Sequence, residues 1–156
     1  MISSRYEDFE NNSEIHRILD KMVHEYSRGS SLEKVTCCSI PLNGAVYVKS
    51  YKEFMNVLDR CRVAFVLITT TYCPYCRLFK PVFYSVAERY SSRAAFIEVN
   101  ADHVPEVAMM LDIYSTPTTV VLIDRKVIDG VLGYVPANYF KEYVDSLLRS
   151  IKCIQS

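Results

Sequence analysis

The chain has 156 residues, half of them hydrophobic, and 18 Lys plus Arg against 18 Asp plus Glu give a formal charge of zero. Without a basic stripe, that balance argues against nucleic acid as a partner. No apolar run approaches the length of a membrane span, and the polar start at residues 1–8 lacks the apolar core of a signal peptide, so the expectation is a soluble cytoplasmic protein with no membrane partner.

In chain order, the first predicted element is a helix. Ile15, Ile18, Leu19, Met22, Val23 and Tyr26 recur at helical spacing, with Asn12 or Ser13 as N-cap. Residues 27–31 (Ser-Arg-Gly-Ser-Ser) end it as a linker. Its apolar stripe must pack on the main domain or on a second copy of the chain, so a dimer through this helix is one expected assembly. Residues 35–40 read as a short strand, and Asn43-Gly44 as the turn after it. These first 44 residues are set apart as an N-terminal extension, with residues 45–156 as the main domain.

Residues 45–48 read as a strand, and Ser50 with Glu53 has capping-box spacing for a helix to about residue 59. Residues 63–69 are apolar and β-branched, the pattern of a buried strand, and residues 77–90 follow as a helix in which Pro81 predicts a kink. A strand over 94–101 leads to Asp102 as cap of a short helix carrying Val104, Val107, Ala108 and Leu111. Residues 118–123 and 127–132 form a predicted hairpin around Asp124-Arg125-Lys126. Pro136 opens a last helix with Tyr139, Phe140, Tyr143, Val144, Leu147 and Leu148 on its apolar face. The order βαβαβαββα predicts an α/β fold: a parallel first half joined to an antiparallel hairpin, with helices on both faces of a mixed sheet.

Between the strand over 63–69 and the next helix lies Cys73-Pro74-Tyr75-Cys76. Two cysteines at this spacing can close a small disulfide ring and reopen it. A helix N-terminus carries unpaired N–H groups and a partial positive charge, which lowers the pKa of a thiol placed there and favours the attacking thiolate. Cys73, nearer solvent, is the expected nucleophile, and Cys76, one turn further in, the resolving thiol. Cys37, Cys38, Cys61 and Cys153 read as buried apolar thiols; on a strand, Cys37 and Cys38 face opposite ways and do not pair with each other. An additional structural disulfide would fit a hyperthermophilic source.

With this motif on a strand-to-helix turn in that element order, the chain resembles the thioredoxin family over roughly residues 45–150. Cys73-Pro74-Tyr75-Cys76 matches the active-site spacing and Pro81 the kinking proline. Thr116-Pro117-Thr118 matches the cis-proline that faces the dithiol, and Gly133 a glycine of the substrate groove. The resemblance implies a thioredoxin fold and thiol–disulfide exchange, with Tyr72, Pro74, Tyr75, Thr116, Pro117 and Gly133 around the dithiol. It implies disulfide-containing protein substrates and a flavin-dependent thioredoxin reductase as partners, and neither metal nor organic cofactor. A cis bond at Pro117 would expose the Thr116 backbone beside Cys73 for pairing with an extended substrate. The chain departs from the family in having Leu67 where a buried Asp is usual; Glu98, on the neighbouring strand, is the expected substitute for part of the proton handling.

Other activities share these residues. Cys-Pro-Tyr-Cys is the usual glutaredoxin sequence, but residues 127–133 lack the adjacent glycines that hold glutathione in that family. A protein disulfide oxidase or isomerase uses the same dithiol at a different potential. One C-x-x-C supplies two of the roughly four ligands that zinc takes, and His16, His24 and His103 add no paired spacing. A thioredoxin-fold interaction module would not need both cysteines.

Overall fold

Val63–Thr69, β2, is buried at every position, and its alternate side chains serve two different cores. Val63, Phe65 and Leu67 point to one face of the sheet, and Ala64, Val66 and Ile68 to the other, as the two-residue period of a strand requires. In the computed structural model, which describes residues 17–19, 21 and 37–152, this strand is the middle of a five-stranded sheet. The others are β1 (Val46–Val48), β3 (Ala95–Asn100), β4 (Thr118–Ile123) and β5 (Lys126–Leu132), in the order β1-β3-β2-β4-β5. β1 and β2 pair with β3 in parallel, whereas β4 is antiparallel to both β2 and β5. The expected mixed α/β sheet and thioredoxin fold are thus present.

Among the residues described from 37 onward, four helices cover it: α1 (Tyr51–Leu58), α2 (Pro74–Tyr90), α3 (Pro105–Met110) and α4 (Ala137–Ile151). Helices α2 and α4 bury Phe79, Phe83, Val86, Phe140, Val144 and Leu147 against Phe65, Leu67 and Phe96. On the opposite face, α1 and α3 bury Phe54, Val57, Leu58 and Val107 against Val66, Ile68, Ile97 and Val99. The capping spacing ahead of α1 is realised: the Glu53 N–H donates to Ser50 Oγ at 3.1 Å, and the Glu53 carboxylate accepts from the Lys49 N–H at 3.2 Å. Asp124 and Arg125, both at positive φ, form the two-residue hairpin loop, the geometry that matches the twist of the strands it joins. Each is held by a charge partner, Arg62 for Asp124 and Asp59 for Arg125.

Several expectations are corrected. Residues 37–40 are not a strand but bends around one isolated antiparallel bridge, Cys38 to Cys61. Cys37 and Cys38 do face opposite cores, yet they are not free thiols: Cys38 is bonded to Cys61, and Cys37 is also in a disulfide. The backbone bridge brings the Cys38 and Cys61 Cα atoms to 3.9 Å, a juxtaposition that spacing in the sequence does not encode. Asp102 does not cap α3, whose N-cap is Val104 without a side-chain bond. The Asp102 carboxylate accepts instead from the Thr71 N–H at 2.9 Å, so it anchors the loop leading to the cysteine motif. Helix α2 begins three residues earlier than expected, at Pro74, and runs through Pro81.

Residues 17–19 and 21 are helical, and Leu19 is buried in the same core as α2 and α4, which places this part of the stripe against its own domain. Ile15, Met22, Val23, Tyr26, the linker at 27–31, Val35 and Cys153 lie outside the described residues.

The Cys38–Cys61 bond closes a loop across a sequence separation of 23. Chain-entropy arguments assign such a loop about 3 kcal/mol. The double variant Cys38→Ser/Cys61→Ser is expected to lose about that much stability in urea unfolding, with the active-site ring kept oxidised in both proteins.

Candidate functional site

Three loops meet at the carboxyl end of β2: residues 70–73 from β2 into α2, residues 111–117 ahead of β4, and residues 133–136 after β5. The cysteine motif forms the first turn of α2. Pro74 occupies the first helical position, where a missing N–H costs nothing, and Cys73 is the N-cap in an extended conformation. Its sulfur takes the place of a capping hydroxyl, accepting from the Cys76 N–H at 3.2 Å. Cys73 and Cys76 are joined as a disulfide, with Cα atoms 5.2 Å apart. Cys73 is 8% exposed and Cys76 1%, the order of access that an attacking and a resolving sulfur require.

Facing Cys73 from the loop ahead of β4 is Thr116, joined to Pro117 by a cis peptide bond. The Thr116 hydroxyl lies 3.5 Å from Cys73 Sγ and 2.9 Å from the Thr70 hydroxyl. Gly133, at φ +84°, donates its N–H to the Pro117 carbonyl at 2.8 Å, which holds the third loop against the second. Tyr72, 91% exposed, and Tyr75, 63% exposed, flank the dithiol in sequence with uncovered rings, and Tyr114 on the proline loop is also exposed. Thus Cys73, Cys76, Thr116, Pro117 and Gly133 are tied by direct contacts, whereas Tyr72, Pro74 and Tyr75 form the exposed rim.

Glu98 stands directly opposite Leu67 in the β2–β3 register and is 2% exposed. Its carboxylate accepts from the Thr69 hydroxyl at 2.9 Å and the Tyr84 phenol at 2.7 Å, and it pairs with Lys80 at 3.1 Å. Burial, together with the hydrogen bond to Glu98 and that carboxylate's charge, pushes the Tyr84 phenol well above its usual range, so it stays a donor. Lys80 and Tyr84 are four residues apart on α2, one turn of one face, and both reach the same carboxylate. That pair was the available sequence signal for a buried acid at 98, and it was missed. Asp102, expected as a helix cap, and Thr70, not singled out by the sequence, carry no motif for these contacts, since each acts through a loop closed only in three dimensions. Asp102 is held below the usual carboxylate range by its bonds from Thr71.

On the other side of Leu67, Thr119 is buried on β4 with no partner for its hydroxyl. Among the described residues there is no group of three or more His, Cys, Asp or Glu arranged to hold a metal. No helix among them is long and apolar enough to cross a membrane.

Comparison with known proteins agrees with this arrangement. The sequence model of the thioredoxin family matches residues 45–146. Thioredoxin 1 of Synechococcus elongatus is 34% identical over 104 residues, covering 67% of this chain and 95% of that protein. A thioredoxin of Chlorobaculum thiosulfatiphilum is 27% identical over 103 residues, covering 65% and 95%. Among solved structures, a thioredoxin from Halobacterium salinarum superposes with a TM-score of 0.62 at 22% identity, covering 70% of this chain and 96% of that one. Similarity at that identity speaks to the fold.

Proposed function

Since the chain belongs to the thioredoxin family of thiol–disulfide oxidoreductases, we propose that it reduces disulfide bonds in other proteins through reversible closure of the Cys73–Cys76 ring. The observation that carries this reading is the Cys73 sulfur as N-cap of α2, receiving the Cys76 N–H, with Cys76 buried behind it. In the reduced form, the Cys73 thiolate attacks one sulfur of a substrate disulfide and displaces the other as a thiolate. Cys76 then gives up its proton, attacks Cys73 Sγ and releases the second substrate thiol. Two electrons pass to the substrate and the ring is left oxidised. The Gly133–Pro117 contact and the approach of Thr116 to Cys73 support a groove in which an extended substrate pairs beside Cys73. Tyr72, Pro74 and Tyr75 form its rim.

Electrons to reopen the ring come, in this reading, from a flavin-dependent reductase rather than from glutathione. The relatives described above are thioredoxins, which supports that choice over a glutaredoxin. Rates of ring reduction by a flavoenzyme and by glutathione, compared side by side, test it; faster reduction by glutathione overturns it.

One observation favours a second direction of electron flow. Disulfides persist chiefly in oxidising compartments or in hyperthermophiles, and the buried Cys38–Cys61 bond lies outside the redox motif. A protein disulfide oxidase or isomerase would work in such a setting. The equilibrium potential of the Cys73–Cys76 couple decides between them: a value near about −270 mV supports the reductant, and one near about −120 mV the oxidant.

Proton transfer from Cys76 needs an acceptor, and Leu67 on β2 offers none. We assign part of that role to Glu98, which is buried beside Leu67 and held by two residues of the helix that carries Cys76. Glu98→Gln keeps the shape and removes the acid. It is expected to slow disulfide reduction by up to about a hundredfold, the low end for a positioned acid–base group, and to change the pH profile. An unchanged profile removes Glu98 from the mechanism.

A further inference from the structure

The β2–β4 pairing ends at Ile68 opposite Thr118, and two residues beyond it on each segment the side chains of Thr70 and Thr116 meet. Their hydroxyl oxygens are 2.9 Å apart, and Thr116 Oγ1 is 3.5 Å from Cys73 Sγ. A hydroxyl has one proton to donate. If Thr116 spends that proton on the sulfur, it can only accept from Thr70, which fixes the direction of the chain as Thr70 to Thr116 to Cys73. Both residues are partly buried, where a hydrogen bond to a charged sulfur is worth more than in water.

We infer that Thr70 and Thr116 form a hydroxyl relay that stabilises the Cys73 thiolate and so sets both its acidity and the potential of the ring. The inference rests on the proposed use of Cys73 as the exchanging sulfur. A disulfide sulfur is neutral and a weak acceptor; a thiolate is charged and a strong one. Reduction takes up two electrons and one proton, breaking the Cys73–Cys76 bond to leave a Cys73 thiolate and a Cys76 thiol. The Thr116 and Cys76 N–H donors therefore gain strength only on the reduced side, which favours reduction and lowers the Cys73 pKa. Thr70 touches no sulfur. It is a positioning residue that holds the Thr116 proton toward Cys73 and polarises it.

Charged and titratable groups on the surrounding elements are the same in every variant compared. Cys76 and Arg77 lie on α2, where Lys80 pairs with Glu98 of β3. Asp102 is bonded to the Thr71 N–H. Asp112 and Tyr114, ahead of Thr116, are bonded to each other. Tyr72 and Tyr75 are exposed. A shift on removing one hydroxyl therefore reports that hydroxyl.

The test uses the full chain, with the Cys73 pKa taken from the pH dependence of its alkylation and the ring equilibrium measured against dithiothreitol. Thr116→Val keeps the branched shape without the hydroxyl. It is expected to raise the Cys73 pKa by about one to two units, the worth of a hydrogen bond to a charged group, and to move the ring about tenfold toward the oxidised form, about 30 mV. Thr116→Ser restores the wild-type values. Thr70→Val moves both in the same direction by less, and Thr70→Val/Thr116→Val matches Thr116→Val alone, because Thr70 acts through Thr116. Unchanged values in Thr116→Val, or additive shifts in the double variant, overturn the relay. A wild-type protein whose ring does not cycle with dithiothreitol overturns the underlying function instead, so the two failures are distinguishable.

Discussion

Cys73→Ser is expected to abolish protein disulfide reduction, by at least about a thousandfold, while Cys76→Ser carries out the first attack and stops there. The asymmetry follows from the helix end. Cys73 Sγ occupies the N-cap of α2 and is the more exposed sulfur, and a serine hydroxyl at the same place stays protonated and cannot attack a disulfide. Cys76, 1% exposed, is shielded from a bulky substrate but stands one helical turn from Cys73, as their disulfide shows. Without it, the mixed disulfide between Cys73 and substrate has no internal attacker and accumulates. Insulin reduction followed by turbidity measures the first effect. Non-reducing electrophoresis with a disulfide-bearing substrate measures the second, as a covalent adduct in Cys76→Ser that disappears in Cys73→Ser/Cys76→Ser. Turnover retained by Cys73→Ser would remove the Cys73–Cys76 ring from the reaction.

How much of this was readable beforehand depends on how far each feature is written in local sequence. Val63–Thr69 and Thr118–Ile123 are runs of apolar and β-branched residues, so the central strands were evident, and their burial on both faces follows from helices above and below. The redox motif was legible because its function depends on two residues in one turn. Pro117 was legible only through resemblance, since X–Pro bonds are mostly trans and nothing local marks this one. Long-range closures were not legible. Cys38 meets Cys61 through a backbone bridge between two irregular segments, and Asp102 reaches Thr71 across the carboxyl ends of β2 and β3. Both misreadings came from assigning a residue to its nearest element, a strand for Cys38 and a helix cap for Asp102, when its partner lay elsewhere in the chain. Thr70 and Thr116 are a milder case: they lie just beyond the paired ends of β2 and β4 and meet through their hydroxyls, and the register that brings them together is fixed only once the sheet exists.

Leu67 and Glu98 show why a substitution in the core had to be read with its neighbours. The Glu98 carboxylate on β3 lies on the same face of the sheet as Leu67 on β2 because directly opposed residues share a face. What makes this position tenable is the supply of donors: Thr69 and Tyr84 hydroxyls and the Lys80 ammonium together satisfy the buried oxygens. Lys80 is partly exposed, which keeps its own desolvation small while its charge reaches inward. A buried acid at 98 thus fits this chain's helix and would keep only the Thr69 hydroxyl as partner without Lys80 and Tyr84.

Phe83→Ala is expected to cost about 3–5 kcal/mol, and to do so without changing the chemistry of the ring. Phe83 is fully buried on α2, with its ring 5.7 Å from Phe96 on β3, 5.9 Å from Phe140 on α4, and 6.3 Å from Phe79 on its own helix. It therefore joins three elements at one point, and the cavity left by alanine would be lined by aromatic rings that rotate about few bonds and collapse poorly into it. For a domain of this size, that loss lowers the unfolding midpoint by roughly 10 °C or more. Phe83→Leu, which fills much of the space, is expected to retain most of the stability. Cys73 and Cys76 lie in the first turn of α2, two turns before Phe83, and their contacts run to Thr116 and to the helix's own backbone. The potential of the ring in folded Phe83→Ala is accordingly expected to equal that of the wild type. Urea denaturation at fixed redox state gives the first quantity and equilibration with dithiothreitol the second. A shifted potential with little loss of stability would mean that the aromatic cluster holds the site in place instead of holding the fold together.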